Sequence, residues 1–106
     1  MSRPRKADAD LDALIEEVTV DAFNESEQLT AFETAFDEVA KFPCTGSVIG
    51  EVVEVLSLTG DDDRGELVAT CRRAGRRHKV ALRDIELRSD AATMRLFAAY
   101  KRWLGH

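Results

Sequence analysis

The chain has 106 residues, 44% of them hydrophobic and 33% charged. That fits one soluble domain and excludes a disordered or fibrous chain. The formal net charge is −5, and no apolar run approaches the ~18–20 residues of a membrane helix. The charge is unevenly placed. Residues 1–63 hold sixteen acids and four bases, a balance of −12, and residues 64–106 hold eleven bases and four acids, a balance of +7. Such a split implies a cationic partner for one half, an anionic partner for the other, or attraction between the halves.

The start, Met1 to Lys6, is basic but leads into Asp8-Ala9-Asp10 rather than an apolar stretch. No secretory signal is expected, and residues 1–8 read as a flexible basic tail. From Leu11 the positions Leu11, Leu14, Ile15 and Val18 form one face of a first helix. Asn24 and Glu27 then have capping-box spacing and open a second helix with the face Leu29, Phe32, Phe36 and Val39. That helix should stop before Pro43. Residues 9–42 are thus read as a helical hairpin.

The pattern then turns to β. Val48-Ile49 and Val52 to Leu58 are split by Gly50. Thr59 to Gly65 reads as a polar loop, Leu67 to Cys71 as an alternating strand, and Ala74-Gly75 as a tight turn into a return strand from His78 to Leu82. Residues 44–88 are expected to form a small, partly open SH3-like antiparallel β-barrel. Ser89 or Asp90 caps a last helix over 89–105, with Phe97, Tyr100 and Leu104 on one face. The expected fold is α+β, a single domain over 1–106, closed by the C-terminal helix.

Enzyme signatures are absent. There is no glycine-rich phosphate loop and no nucleophile elbow, and the two histidines have no sequence-adjacent Cys or Ser partner. A non-enzymatic protein is expected. Cys44 and Cys71 are too few for a disulfide framework or a thiolate zinc site, so a reducing cytoplasm is the expected home. The acidic runs are not EF-hands. Counted from Asp8, the turn position falls on Ala13 and the final position on Thr19, where glycine and glutamate are needed.

The most specific stretch is Glu16 to Gln28, an interhelical corner holding five carboxylates within 13 residues. Calcium takes six to eight oxygens at ~2.3–2.6 Å, and a corner can supply carboxylates together with carbonyls freed from helix bonding. Val20-Asp21-Ala22-Phe23 with Glu25 and Glu27-Gln28 resembles the corner segment of the CcbP-like bacterial calcium-binding proteins. Asp37-Glu38 ahead of Phe42-Pro43, the strand Gly50 to Val55 and the aromatic C-terminal helix with Trp103 extend the resemblance over about residues 15–104. It departs at Cys44, where that family typically has an aromatic residue, and in the more basic stretch 72–79.

The resemblance implies a small soluble calcium binder with an α-helical N-terminal part and a small barrel, and the expected function is a cytoplasmic calcium buffer or sensor. Magnesium is expected to compete, because carboxylate counts alone do not separate the two ions. A straight second helix puts Glu25 and Glu38 ~20 Å apart, so two acidic poles are expected. At the first, Asp21 and Glu25 are the direct ligands, helped by Glu27 or the carbonyl of Asn24. The second is Asp37-Glu38, expected near Asp10 and Asp12. Asn24 and Glu27 read equally well as a capping box alone. Asp61 to Asp63 reads as a loop tip.

The stretch 72–79 supports an alternative, a protein- or nucleic-acid-interaction module. Arg72, Arg73, Arg76, Arg77 and Lys79 place five fixed charges in eight residues. No Phe, Tyr or Trp interleaves with them, which disfavours base stacking and hence nucleic acid. A solvated edge is the simpler reading.

Overall fold

The computed structural model describes residues 6–105. The basic segment 1–5 lies outside them, and from Lys6 the chain is helical. Two helices come first, α1 (Lys6–Val18) and α2 (Glu25–Val39). Five strands follow: β1 (Cys44–Val48), β2 (Glu51–Asp61), β3 (Glu66–Arg73), β4 (Arg76–Ala81) and β5 (Glu86–Arg88). Helix α3 (Ala91–Leu104) ends the chain.

The strands form one antiparallel sheet in the order β4-β3-β2-β1-β5. The sheet is not closed into a barrel, contrary to the SH3-like expectation. β5 pairs with β1 over only Thr45 to Ser47, and β4 pairs only with β3 among the described residues. The two edge strands therefore do not meet. The α2 and α3 layer covers the inner face instead.

Local chemistry explains most boundaries. Asp90 caps α3, its Oδ1 accepting from the Thr93 N–H at 2.8 Å. Both short hairpin turns have positive φ at their two central residues, Ile49-Gly50 and Ala74-Gly75. That conformation matches the twist of the flanking strands. The polar stretch 59–65 is shorter as a loop than expected, since β2 runs on to Asp61. The ladder slips between Val55 and Ser57. This bulge lets Val53, Val55 and Leu58 all turn inward despite their broken alternation.

The core lies between these strands and the aromatic faces of α2 and α3. Leu67, Ala69 and Cys71 come from the sheet, with Phe32 and Phe36 from α2 and Leu96, Phe97 and Tyr100 from α3. Phe32 meets Tyr100 edge-on at 5.6 Å between ring centroids, and Phe36 meets it at 6.1 Å. Tyr100 Oη accepts the Leu67 N–H at 2.7 Å, joining the helix to the sheet through a buried polar contact. Trp103 Nε1 donates to Gln28 Oε1 at 2.8 Å, tying α3 to α2. α1 packs more extensively on α3 than on α2, so the two N-terminal helices splay.

The cysteines are free. Cys44 and Cys71 face Val55 from opposite sides in the strand register. Two strand spacings separate them by ~9–10 Å, beyond disulfide reach. Burial pushes both thiols up from their ordinary value.

Candidate functional site

The acidic corner is built from the end of α1 and the start of α2. β-branched Thr19 ends α1 by turning its hydroxyl back to the Ile15 carbonyl at 2.7 Å. Asn24 then caps α2, its Oδ1 accepting from the Glu27 N–H at 2.8 Å. Glu27 reciprocates, its Oε2 accepting from the Phe23 N–H at 2.8 Å. The pair is a variant of the capping box, with the return bond reaching the N–H of the residue before the cap rather than that of the cap itself. It engages the Asn24 amide oxygen and one carboxylate oxygen of Glu27 in holding the backbone. Asp21 and Glu25 stand exposed.

At the far end of α2, Asp37 and Glu38 are also exposed. Asp12 does not serve that pole as expected. It is held by Arg102, whose Nε donates to Asp12 Oδ1 at 2.7 Å and Nη2 to Oδ2 at 3.2 Å. Asp8 lies 3.7 Å from the same guanidinium. Among the described residues, no three His, Cys, Asp or Glu side chains gather closely enough to hold a metal ion.

One acidic segment joins the corner in a way the local pattern did not reveal. The turn between β2 and β3 folds against the start of α2, and Ser26 Oγ donates to Asp62 Oδ1 at 3.3 Å. Glu33 anchors this approach by accepting the Gly60 N–H at 3.1 Å. Asp61 is occupied in the turn, its Oδ1 accepting from the Asp63 and Arg64 N–H groups at 3.1 and 3.3 Å. Asp62 and Asp63 are exposed. The contact spans 36 residues of sequence, and its only sequence signal is the acidic run itself.

The corner's donors suit a hard cation in kind: carboxylates, a hydroxyl and turn carbonyls. The helix termini add a field. α1 carries Glu16 and Glu17 near its C-terminal end, with no basic residue in its last turn. α2 does the same with Asp37 and Glu38. A helix C-terminus carries a negative partial charge, so acids there are repelled unless a cation is supplied.

The basic residues divide into two groups. Arg72 pairs with Glu54, its Nε at 2.8 Å from Oε1, and Arg73 pairs with Glu51. Arg76, Arg77, His78 and Lys79 lie exposed along the β4 edge. Attraction between the acidic and basic halves is therefore real but partial. Among the described residues it runs through Arg64, Arg72, Arg73 and Arg102.

Comparison with known proteins gives no matching family model and no significant match among curated proteins. Two solved structures share the fold. One is CcbP of Anabaena, at 22% identity and a TM-score of 0.74, covering 100% of this chain and 94% of the other. The second is a calcium-binding protein in its calcium-binding form, at 23% identity and a TM-score of 0.75, covering 96% of each chain. No helix among the described residues is long and apolar enough to cross a membrane.

Proposed function

We propose that this chain is a non-catalytic calcium-binding protein, a buffer or sensor, with its ligands at the helix ends. The observation that carries this reading is the placement of Glu16-Glu17 and Asp37-Glu38 at two helix C-termini with no basic residue in the last turn of either helix. The calcium-binding names of its two fold neighbours support it. Asp21 and Glu25 are the direct ligands at the corner. The remaining oxygen of Glu27 and the Asn24 carbonyl assist, and Asp62 supplies a carboxylate from the hairpin turn. Asp37 and Glu38 form the second pole.

Bound calcium would supply a fixed double positive charge. The chain's own residues then lose their mutual repulsion, and the α1–α2 corner stiffens. Sensor action requires that stiffening to alter a surface. Magnesium competes through the same oxygens, with its stricter octahedral demand as the discriminator.

Calorimetric titration of chelator-stripped protein with calcium, and separately magnesium, tests the reading at physiological salt. Asp21→Asn should weaken calcium binding, and Asn24→Ala should lower stability by about 1 kcal/mol through the lost cap while leaving binding in place. The absence of both binding heat and thermal stabilisation at millimolar calcium would overturn it.

The exposed β4 edge favours a second reading, an interaction module using Arg76, Arg77 and Lys79 with Arg72 and Arg73. β3 and β4 carry no Phe, Tyr or Trp, so a protein partner suits that edge better than nucleic acid. A salt series of anisotropy measurements with single- and double-stranded RNA and DNA decides between those partners.

A further inference from the structure

The helical layer is open on one side. Because α1 leans on α3, a groove of about 920 Å³ runs between α1 and α2 and reaches the start of α3. Its apolar lining includes Leu14, Val18, Ala31, Ala35, Val39 and Leu96. Phe23 and Val20 stand at its corner end with 89% and 73% of their surface exposed. None of the described α1 side chains from Asp8 to Val18 is fully buried, although the helix has a regular apolar stripe. An apolar surface of this kind, left open beside charged residues, marks an interaction site.

The charges around the groove identify the occupant. Glu17, Asp21, Glu27 and Glu38 line it, against the single base Arg95. The groove follows α2 from Ser26 to Val39, ~20 Å or about four helical turns. We propose that it receives a cationic amphipathic helix of a partner protein, apolar face inward and Lys or Arg side chains toward the acidic rim. An anionic membrane surface would be repelled by the same rim. The basic stretch 72–79 of a second copy has the right charge, but its only apolar side chain is that of Ala74, too small to fill the groove.

A labelled 18-residue Leu/Lys peptide with helical periodicity, measured by anisotropy near 150 mM salt, tests this. Chelator is present, so the outcome is independent of calcium. The peptide should bind at least about tenfold more tightly than its scrambled form, and a Leu/Glu counterpart should not bind. Phe23→Ser should weaken binding about fivefold, and the double reversal Glu17→Lys with Glu38→Lys about tenfold or more. Reversing Asp63 alone, on the hairpin tip and outside the groove lining, should change it less than about twofold. All of these side chains are exposed, so the fold is not at risk. Equal affinity for the scrambled peptide, or an equal loss from the hairpin-tip reversal, would overturn the proposal. So would concentration-dependent dimerisation in sedimentation that Phe23→Ser abolishes, since a second copy would then fill the groove.

Discussion

Arg102 of α3 grips Asp12 of α1 with two guanidinium nitrogens across 90 residues of sequence, and Asp8 joins at 3.7 Å. This clamp turns α1 toward α3 and leaves the groove beside α2. Arg102→Leu should lower the melting temperature by about 2–5 °C, because the pair is only partly shielded from solvent. The gap from wild type should narrow in ~1 M salt, where the screening length falls to ~3 Å. An unchanged melting curve would show that apolar packing alone sets the position of α1.

Tyr100 predicts an alkaline limit. Burial pushes its phenol up to about 12, opposed by the hydrogen bond from the Leu67 N–H. The folded state therefore holds this proton where the unfolded chain, near the ordinary value of 10.0, releases it. Its contribution to stability is complete below pH ~10 and is lost as pH rises through about 12, at most about 2–3 kcal/mol. Denaturation of Tyr100→Phe should show a smaller loss over that window. At neutral pH the variant should be about 1–3 kcal/mol less stable, since the Leu67 N–H is left without its acceptor.

Gly46 marks where the sheet is tightest. A Cβ there would stand 2.6 Å from Ile85 Cγ2 and 3.2 Å from the Glu86 carbonyl oxygen. Gly46→Ala should cost about 1–3 kcal/mol in urea unfolding by forcing β5 away from β1. Combined with Ile85→Ala, its cost should be less than additive, because the clashing methyl is gone.

Ile49 occupies the first central position of the β1–β2 turn at φ 49°, with 97% of its surface exposed. A β-branched residue is strained in that region and gains no burial here. Ile49→Asn should stabilise the protein by about 1 kcal/mol, since Asn-Gly suits such a turn. Destabilisation would mean that the exposed side chain packs on the sheet's inner edge.

Features held by near neighbours in the chain are legible in the sequence itself. The Asn24–Glu27 box, the Asp90 cap and the Ala74-Gly75 turn each involve groups within four residues, so composition and spacing suffice to identify them. The acidic corner and the basic stretch are visible for the same reason. The open sheet is not legible, because closure depends on where distant edge strands end, and β5 offers only three residues of ladder.

The long-range polar contacts set the arrangement of charge on the surface. Asp12 lies near Asp10 in the chain yet belongs to Arg102, and Asp62 reaches Ser26 only because the β2–β3 hairpin leans on α2. Spacing cannot reveal such contacts, since they follow from the packing angle between elements. The sequence therefore specified the helices, the strands and the opposed charges, all products of local preference and periodicity. Packing settled which charges cancel, which stay free at the helix ends, and that an acid-rimmed apolar groove stays open, because each depends on how whole elements dock around the Phe32–Tyr100 core.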